Sequence, residues 1–467
     1  MEDLLEYAIR VAEKLRIPYI DARGENINIF EIQSKNGIIK RTVNRRQIGL
    51  GVRVIYKGAE AYAYTSNLTK AEIERVVENS FKTAKVASEH IKMPTQLAEV
   101  KMISGEFIPP TLKIRFDKVP MDKKKEQIDI IYQTAKEIAK KAVLIDATYG
   151  EKYGKRYFMN IEDIKQVYHF TLTGIATIIV EKENGIIASH RDSKGGVYGF
   201  EFFKDGTQAE NLGREVAEVA NMKLKAKAAP AGKFRALIHN DLVGVLAHES
   251  FGHLTEADFV VANLSPLSGR LGEKLGSDAA TIIDEGVPER GGFWLPVDDE
   301  GVSTKKTILL KNGTLNGYLL TRQTARILDM EPTGNARAVD TRYPPIPRMR
   351  NTYFAPGDVN IEEKFEVLKN GIYAVDSLGG QVNEDGTFMF KASYAYLIEN
   401  GEIKEKYREV SLIGHILDFL KNVEVAFNDL KIKTSYFGGC GKGGQYPLPV
   451  GLGGPHLIAN NVKFGGE

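Results

Sequence analysis

An α+β fold is predicted, with an N-terminal α+β domain over 1–228 and a mainly β C-terminal domain over 229–467 that carries a candidate metal-site helix. Three observations predict it. Helical and strand periods interleave through the first half, strand-like runs separated by Asn-Gly turns dominate the second, and a Lys-, Ala- and Pro-containing stretch from 223 to 232 follows neither period. At 467 residues the chain is long enough for two domains with sizeable cores.

Residues 2 to 16 follow a helical pattern. Alternating strands come next, around Ile27 to Phe30 and Ile48 to Ile55, with Lys35-Asn36-Gly37 as the turn between them. Thr69-Lys70-Ala71-Glu72 is a capping box, opening a helix through about Ala84 whose buried face holds Ile73, Val76, Val77 and Phe81. Helix is expected again near 122 to 141, strands between about 143 and 203, and helix near 207 to 224. Lys223 to Gly232 is the linker candidate. Beyond 232 the pattern is mainly strand, with turns at Asn312-Gly313 and Asn400-Gly401 and a helical stretch near 411 to 423.

The chemistry concentrates in His248-Glu249-Ser250-Phe251-Gly252-His253, two imidazoles and a carboxylate within six residues. In the related zinc signature H-E-x-x-H the histidines are four apart and share a helical face, and the Glu polarises water. Here they are five apart, so on a regular helix they point roughly 140° away from each other. A π-type turn restores them to one side, and Gly252 eases such a distortion. Ala236-Leu237-Ile238 reads as the strand before this helix, Asn240 as its N-cap, and Leu242, Val243, Leu246 and Ala247 as its apolar stripe.

A catalytic zinc takes three protein ligands and keeps one position open. Three residues are candidates for the third ligand. Glu256 and Asp258 lie just downstream, and each also suits a solvated carboxylate. Cys440 is the single cysteine, within Phe437-Gly438-Gly439-Cys440-Gly441-Lys442-Gly443-Gly444-Gln445, where the glycines let backbone approach closely. This stretch does not fit a phosphate-binding loop, because Gly443 stands where Ser or Thr would hold magnesium and Pro447 and Pro449 follow; it is assigned to metal ligation and irregular backbone. Asp298-Asp299-Glu300 reads as a turn or structural network. Arg348 and Asn351 are candidate oxyanion donors, with a carboxylate such as Asp298 or Asp299 as the structural alternative for Arg348.

These motifs, in this order, resemble the TldD/PmbA family of metallopeptidases, also described as modulators of DNA gyrase. The resemblance rests on His248-Glu249-x-x-x-His253 with Glu256 and Asp258, Asp298-Asp299-Glu300-Gly301, Thr333-Gly334-Asn335-Ala336-Arg337, Arg348-Met349-x-Asn351-Thr352, Gly379-Gly380-Gln381 and Cys440-Gly441-Lys442. Gly49-x-Gly51-Val52-Arg53-Val54 extends it to the N-terminal part. Leu254 and Thr255 depart from the small or apolar residues expected there, which bears on the pocket wall.

The resemblance implies a metal held by His248, His253 and Cys440, with Glu249 as general base acting on a metal-activated water. It implies a metal-dependent peptidase of the catalytic TldD type, since the sister PmbA/TldE type lacks the histidine motif. It also implies a dimer with an enclosed site, the preferred partner being a TldE/PmbA-type subunit in a heterodimer, with a homodimer when this chain is made alone. The substrate expected is an unstructured peptide. His/His/Cys ligation favours Zn2+, with iron or another divalent metal as the alternative.

Two other functions fit parts of the sequence: a cysteine hydrolase using Cys440 and a histidine, and a non-catalytic scaffold binding peptides along strand edges. The formal charge of +2 gives no electrostatic case for nucleic acid or an acidic membrane surface. One cysteine cannot form an intrachain disulfide, the first residues are acidic where a secretory signal is basic, and no apolar run reaches the roughly 18 residues that span a bilayer. A cytoplasmic protein is expected.

Overall fold

The computed structural model describes residues 1–383 and 385–465. Its first sheet has seven strands and is built on long antiparallel hairpins: Tyr19–Lys35 pairs with Ile38–Tyr56 and with Ala142–Asn160, which pairs with Lys165–Glu183, which pairs with Ile186–Gly196. Asn36 and Gly37 both take positive φ in the first hairpin turn, the conformation such a two-residue connection demands. Glu2–Lys14 and Lys70–Ala87 share one apolar core with the sheet, including Leu5, Ile20, Val52, Val77 and Phe81; Thr69 caps the second helix by accepting from Glu72 N–H. Met121–Ile138 and Thr207–Lys225 pack elsewhere on the sheet through Ile128, Ile131, Tyr149, Ile175 and Val216.

The supposed linker is not a loose tether. The helix runs to Lys225, Lys223 is buried with its ammonium donating to Ser189 O, and Ala226 and Ala229 are buried before the strand Gly232–Ile238 begins. Polar composition misled there because the lysine's alkyl stem packs while its head finds a carbonyl.

In the second half, five strands close a ring: Gly371–Val382, Gly232–Ile238, Leu457–Gly465, Val410–His415 and Thr387–Glu399, the last pairing back to the first. A six-stranded sheet containing Ile282–Asp284, Asn351–Phe354 and Gly451–Gly454 lies beside it. Between them runs the helical segment from Asn240, whose Leu242, Val243, Leu246, Ala247 and Phe251 are fully buried in a core shared with Ile238, Phe354, Ala374 and Phe390. Gly244 is needed here: a Cβ would stand 2.7 Å from Gly453 N.

The helix expected over 411–423 is shorter. Val410–His415 is a strand, and only Ile416–Asn422 is helical, because the preceding residues are taken up in ladders with Thr387–Ala392 and Ser411–Ile413 with Lys463–Gly465. The two halves are joined by buried charge pairs. Arg53 bonds Asp21 and Glu300, each at 2.6 Å, and Glu300 accepts from Arg322 N–H. Asp298 accepts from the N–H groups of Glu300, Val302 and Ala336, while Asp299 accepts from Ala338 N–H. Asp298-Asp299-Glu300 is thus a structural network.

Candidate metal centre

The segment Leu246–Gly252 is a π-helix continuing directly from the α-helical turn Asn240–Val245, and His253–Thr255 is a 3-10 turn. The wider turn brings the rings of His248 and His253 to 5.3 Å between centroids, at 82° to each other. Gly252 permits close packing underneath, where a Cβ would lie 2.0 Å from Met349 Sδ. The cap differs from expectation by one residue. His239 is the N-cap and accepts from Asp241 N–H, whereas Asn240 is buried and donates to Asp429 O and Gly454 O.

Cys440 arrives from a short hairpin, Cys440–Lys442 with Gln445–Leu448, so this glycine-rich segment is more regular than its composition suggests. Its sulfur lies 3.4 Å from His253 Nε2. Ligand atoms of His248, His253 and Cys440 all lie within 4.8 Å of one another. Glu249 reaches the same place from the open side, its Oε2 3.8 Å from His253 Nε2 and its side chain 40% exposed.

Glu256 and Asp258 stand outside this triad. Glu256 is fully buried, accepts from His253 Nδ1 at 2.9 Å, and lies 3.0 Å from Lys442 Nζ; Lys442 also bonds Asp258 at 2.6 Å and donates to Pro347 O. The His–carboxylate bond fixes the ring so that Nε2 faces Cys440. The sequence reading gave Lys442 no role. A signal was present: residues two apart on a strand share a face, so Lys442 follows Cys440 toward the site.

Arg348 does not meet Asp298 or Asp299. It is fully buried behind Glu256, with Nε 3.9 Å from Oε1, and its guanidinium has no hydrogen-bond partner among the described residues. Asn351 is also fully buried, accepting from Phe293 N–H and donating to the carbonyls of Glu285 and Phe293. Asn351 therefore holds backbone and is removed as an oxyanion donor.

The donors fit a metal ion. Among the described residues both ring nitrogens of the buried His248 lack a hydrogen-bond partner, an arrangement that costs free energy unless something else takes the lone pair. Burial pushes the Cys440 thiol up, but His248 and then His253 pull it down further, to about 5. Burial works against protonation of His253, yet Glu256 and Cys440 hold it well above the ordinary imidazole range; Cys440 likewise raises His248. Burial disfavours the Glu256 carboxylate, but His253 and Lys442 bring it to about 2. The site stabilises a thiolate facing positive charge, the charge pattern that a borderline-soft divalent ion satisfies.

Beside these residues opens a cleft of about 350 Å³, lined by Glu249, His253, Leu254, Phe259, Leu264 and Val382 among others. Leu254, one of the two departures from the family pattern, forms part of its wall. Among the described residues no helix is long and apolar enough to cross a membrane.

Comparison with known proteins places the chain among metallopeptidases. Residues 231–466 match the model of the PmbA/TldA metallopeptidase C-terminal domain, and residues 20–84 match PmbA/TldA metallopeptidase domain 1. A metalloprotease of Methanocaldococcus jannaschii is 38% identical, over 93% of this chain and 94% of its own. A zinc metalloprotease TldD homolog of Saccharolobus solfataricus is 28% identical, over 98% of this chain and 99% of its own. Two solved structures share the fold: a protein of Thermotoga maritima described as a modulator of DNA gyrase, with TM-score 0.81 at 22% identity, covering 99% of this chain and 100% of that one, and TldE from Thermococcus kodakarensis, with TM-score 0.79 at 19% identity and the same coverage. With the histidine motif and the family model meeting in the same half of the chain, this protein belongs to the PmbA/TldD family of metallopeptidases.

Proposed function

We propose that the chain is a zinc-dependent peptidase of the HExxxH type, with His248, His253 and Cys440 as metal ligands and Glu249 as general base. The observation that carries this reading is the convergence of the three donors beside one exposed carboxylate. His248, His253 and Cys440 would hold a divalent ion, which would supply Lewis acidity toward a water and a carbonyl. Glu249, next to the ligand His248 and open to the cleft, takes the proton of the attacking water and passes it to the leaving amine. Glu256 and Lys442 hold His253 in place.

Cys440 is only 3% exposed, which favours ligation over attack by its sulfur on a substrate. The substrate proposed is an unstructured peptide lying along the strand Gly371–Val382. Its Ile372–Ala374 stretch pairs with Ala236–Ile238 on one side, but beyond Ala374 that neighbour ends, and Val382 reaches the cleft. A peptide added to such an edge is held through its backbone with modest side-chain selectivity. The first half of the chain serves enclosure and dimer contact, as 1–228 beside a catalytic 229–467. A TldE/PmbA-type subunit is the partner, in a cytoplasmic heterodimer, with a homodimer when the chain is produced alone; the TldE fold match supports that pairing.

The deciding experiment combines chelation with Glu249→Gln. Chelation should abolish peptide cleavage and zinc should restore it. Glu249→Gln should keep stoichiometric metal and lose about 10²- to 10⁴-fold in turnover. Activity that survives chelation would favour a cysteine hydrolase, and full function in Glu249→Gln would favour a binding scaffold.

A further inference from the structure

A second cluster of ligand-type side chains lies at the opposite end of the metal-motif helix. The strands Gly232–Ile238 and Gly371–Val382 run parallel, Ile238 opposite Ala374, so the residues just past this pairing emerge together. These are His239, Asp241 and Asp376, whose ligand atoms all lie within 4.8 Å of one another. His239 Nδ1 is 3.6 Å from Asp376 Oδ1 and 3.8 Å from Asp241 Oδ2. From the first half of the chain His190, 4% exposed, turns its Nε2 to within 3.6 Å of Asp376 Oδ2 while its Nδ1 bonds Ser393 Oγ at 2.8 Å.

The hydrogen bonding leaves this cluster without a donor at its centre. The N–H of Asp241 lies 3.4 Å from His239 Nδ1, a long contact that an ion taking the same lone pair would displace, and this nitrogen faces two carboxylates. Asp376 has no hydrogen bond among the described residues, and both imidazole nitrogens beside it are beyond hydrogen-bond reach. The neighbouring His456 is different: Nδ1 meets Asp429 at 2.7 Å and Nε2 meets Tyr373 Oη at 2.9 Å, so it is fully occupied. Lys433 lies 2.8 Å from both Asp241 oxygens, Lys431 adds a second positive charge to the same field, and Asp192 adds a third carboxylate. Among the described residues Asp376 meets imidazoles and no ammonium within ion-pair distance.

His239 Nδ1 and Asp376 Oδ1 face each other at 3.6 Å with no hydrogen bond between them, an arrangement that a shared cation would relieve. We infer that His239, Asp241 and Asp376 form a second divalent-cation site, separate from the His248, His253 and Cys440 triad, which takes a borderline ion such as Zn2+ and ties the start of the motif helix to the strand Gly371–Val382. Both Asp241 oxygens lie 2.8 Å from Lys433 Nζ, and each keeps a second lone pair that the ion would use. An imidazole with two carboxylates is a donor set such ions accept, and it contains no sulfur. Its role is structural: it would fix the start of the motif helix, which carries Asp241, against the strand Gly371–Val382, which carries Asp376.

The test uses the full chain carrying His248→Ala and Cys440→Ala, equilibrated with Zn2+ and then analysed for bound metal. About one ion per chain should remain, against about two in the unmodified protein, and zinc should still raise the melting temperature. Adding Asp376→Asn, or His239→Asn, which keeps a capping side chain, should remove both the ion and the thermal shift. Loss of all zinc in the starting double variant would overturn the second site, leaving Lys433 or a shared proton as the compensating charge. Retention of zinc unaffected by either added substitution would overturn it equally. Failure of the first site has another signature: the unmodified and double-variant proteins would then bind the same amount.

Discussion

Glu256 Oε2 accepts from Nδ1 of His253 at 2.9 Å, and the carboxylate that does so is wholly buried. The bond leaves Nε2 directed at Cys440, so a residue outside the donor triad decides where one of the donors points.

Glu256→Gln keeps the shape and one acceptor oxygen but removes the charge that balances His253 and Lys442. Zinc affinity should fall about 10- to 100-fold, measured by competition with a chromogenic chelator. The buried Arg348 would lose its nearest anion and Lys442 one of its two, so the melting temperature should drop. An unchanged zinc affinity would show that packing alone orients the ring.

Gly252→Ala tests the floor of the π-turn. The new methyl would begin 2.0 Å from Met349 Sδ in a fully buried site, so the thioether must move. A loss of about 1–3 kcal/mol in urea unfolding is expected. Combined with Met349→Ala the two losses should sum to more than the double variant shows, because the smaller side chain vacates the contested space. Strict additivity would place the clash elsewhere.

Acid stability should depend on His190. Burial, with Lys223 adding to it, lowers this imidazole to about 3, against 6.5 in an unfolded chain. Above 6.5 both states are neutral and the full stability is present. As pH falls from about 6.5 toward 3 the unfolded chain takes up a proton that the folded one refuses, so stability declines by up to about 1.4 kcal/mol per pH unit. Urea midpoints of chelator-treated protein at successive pH values should show this slope, and His190→Gln should flatten it. An equal slope in both proteins would assign the acid sensitivity to other groups.

The π-turn was legible because its cause is local. Two histidines five apart cannot share a regular helical face, and a glycine stood where the distortion was required. The strands around Ile27 and Ile48 were legible only in part. Ile38 to Arg46 projects beyond the core with Lys40, Arg41, Arg45 and Arg46 on an exposed ladder, so no buried alternation marked it, although it pairs throughout with its neighbour. The surroundings of Arg348 and Asn351 were not legible at all. Their partners lie in segments distant along the chain, Glu256 for one and Phe293 for the other, and no spacing rule connects them. The same holds for His190 beside Asp376, a meeting produced by the packing of the two halves.

Access to the cleft should separate free peptides from folded proteins. Beyond Ala374 the strand Gly371–Val382 continues without the neighbour that pairs before it, and its end lines the cleft with Glu249. Using that edge requires an extended segment whose N–H and C=O groups are free, and in a folded domain they are already paired. The enclosure proposed for the dimer adds a steric barrier. One cleavable sequence should therefore be compared as a free peptide and grafted inside a stable domain, with and without a TldE/PmbA-type subunit. The free peptide should be cut in both cases, and the grafted copy should be cut only when the host domain is unfolded by mutation. Equal rates on free and folded copies would refute both the strand-addition mode and the enclosed site.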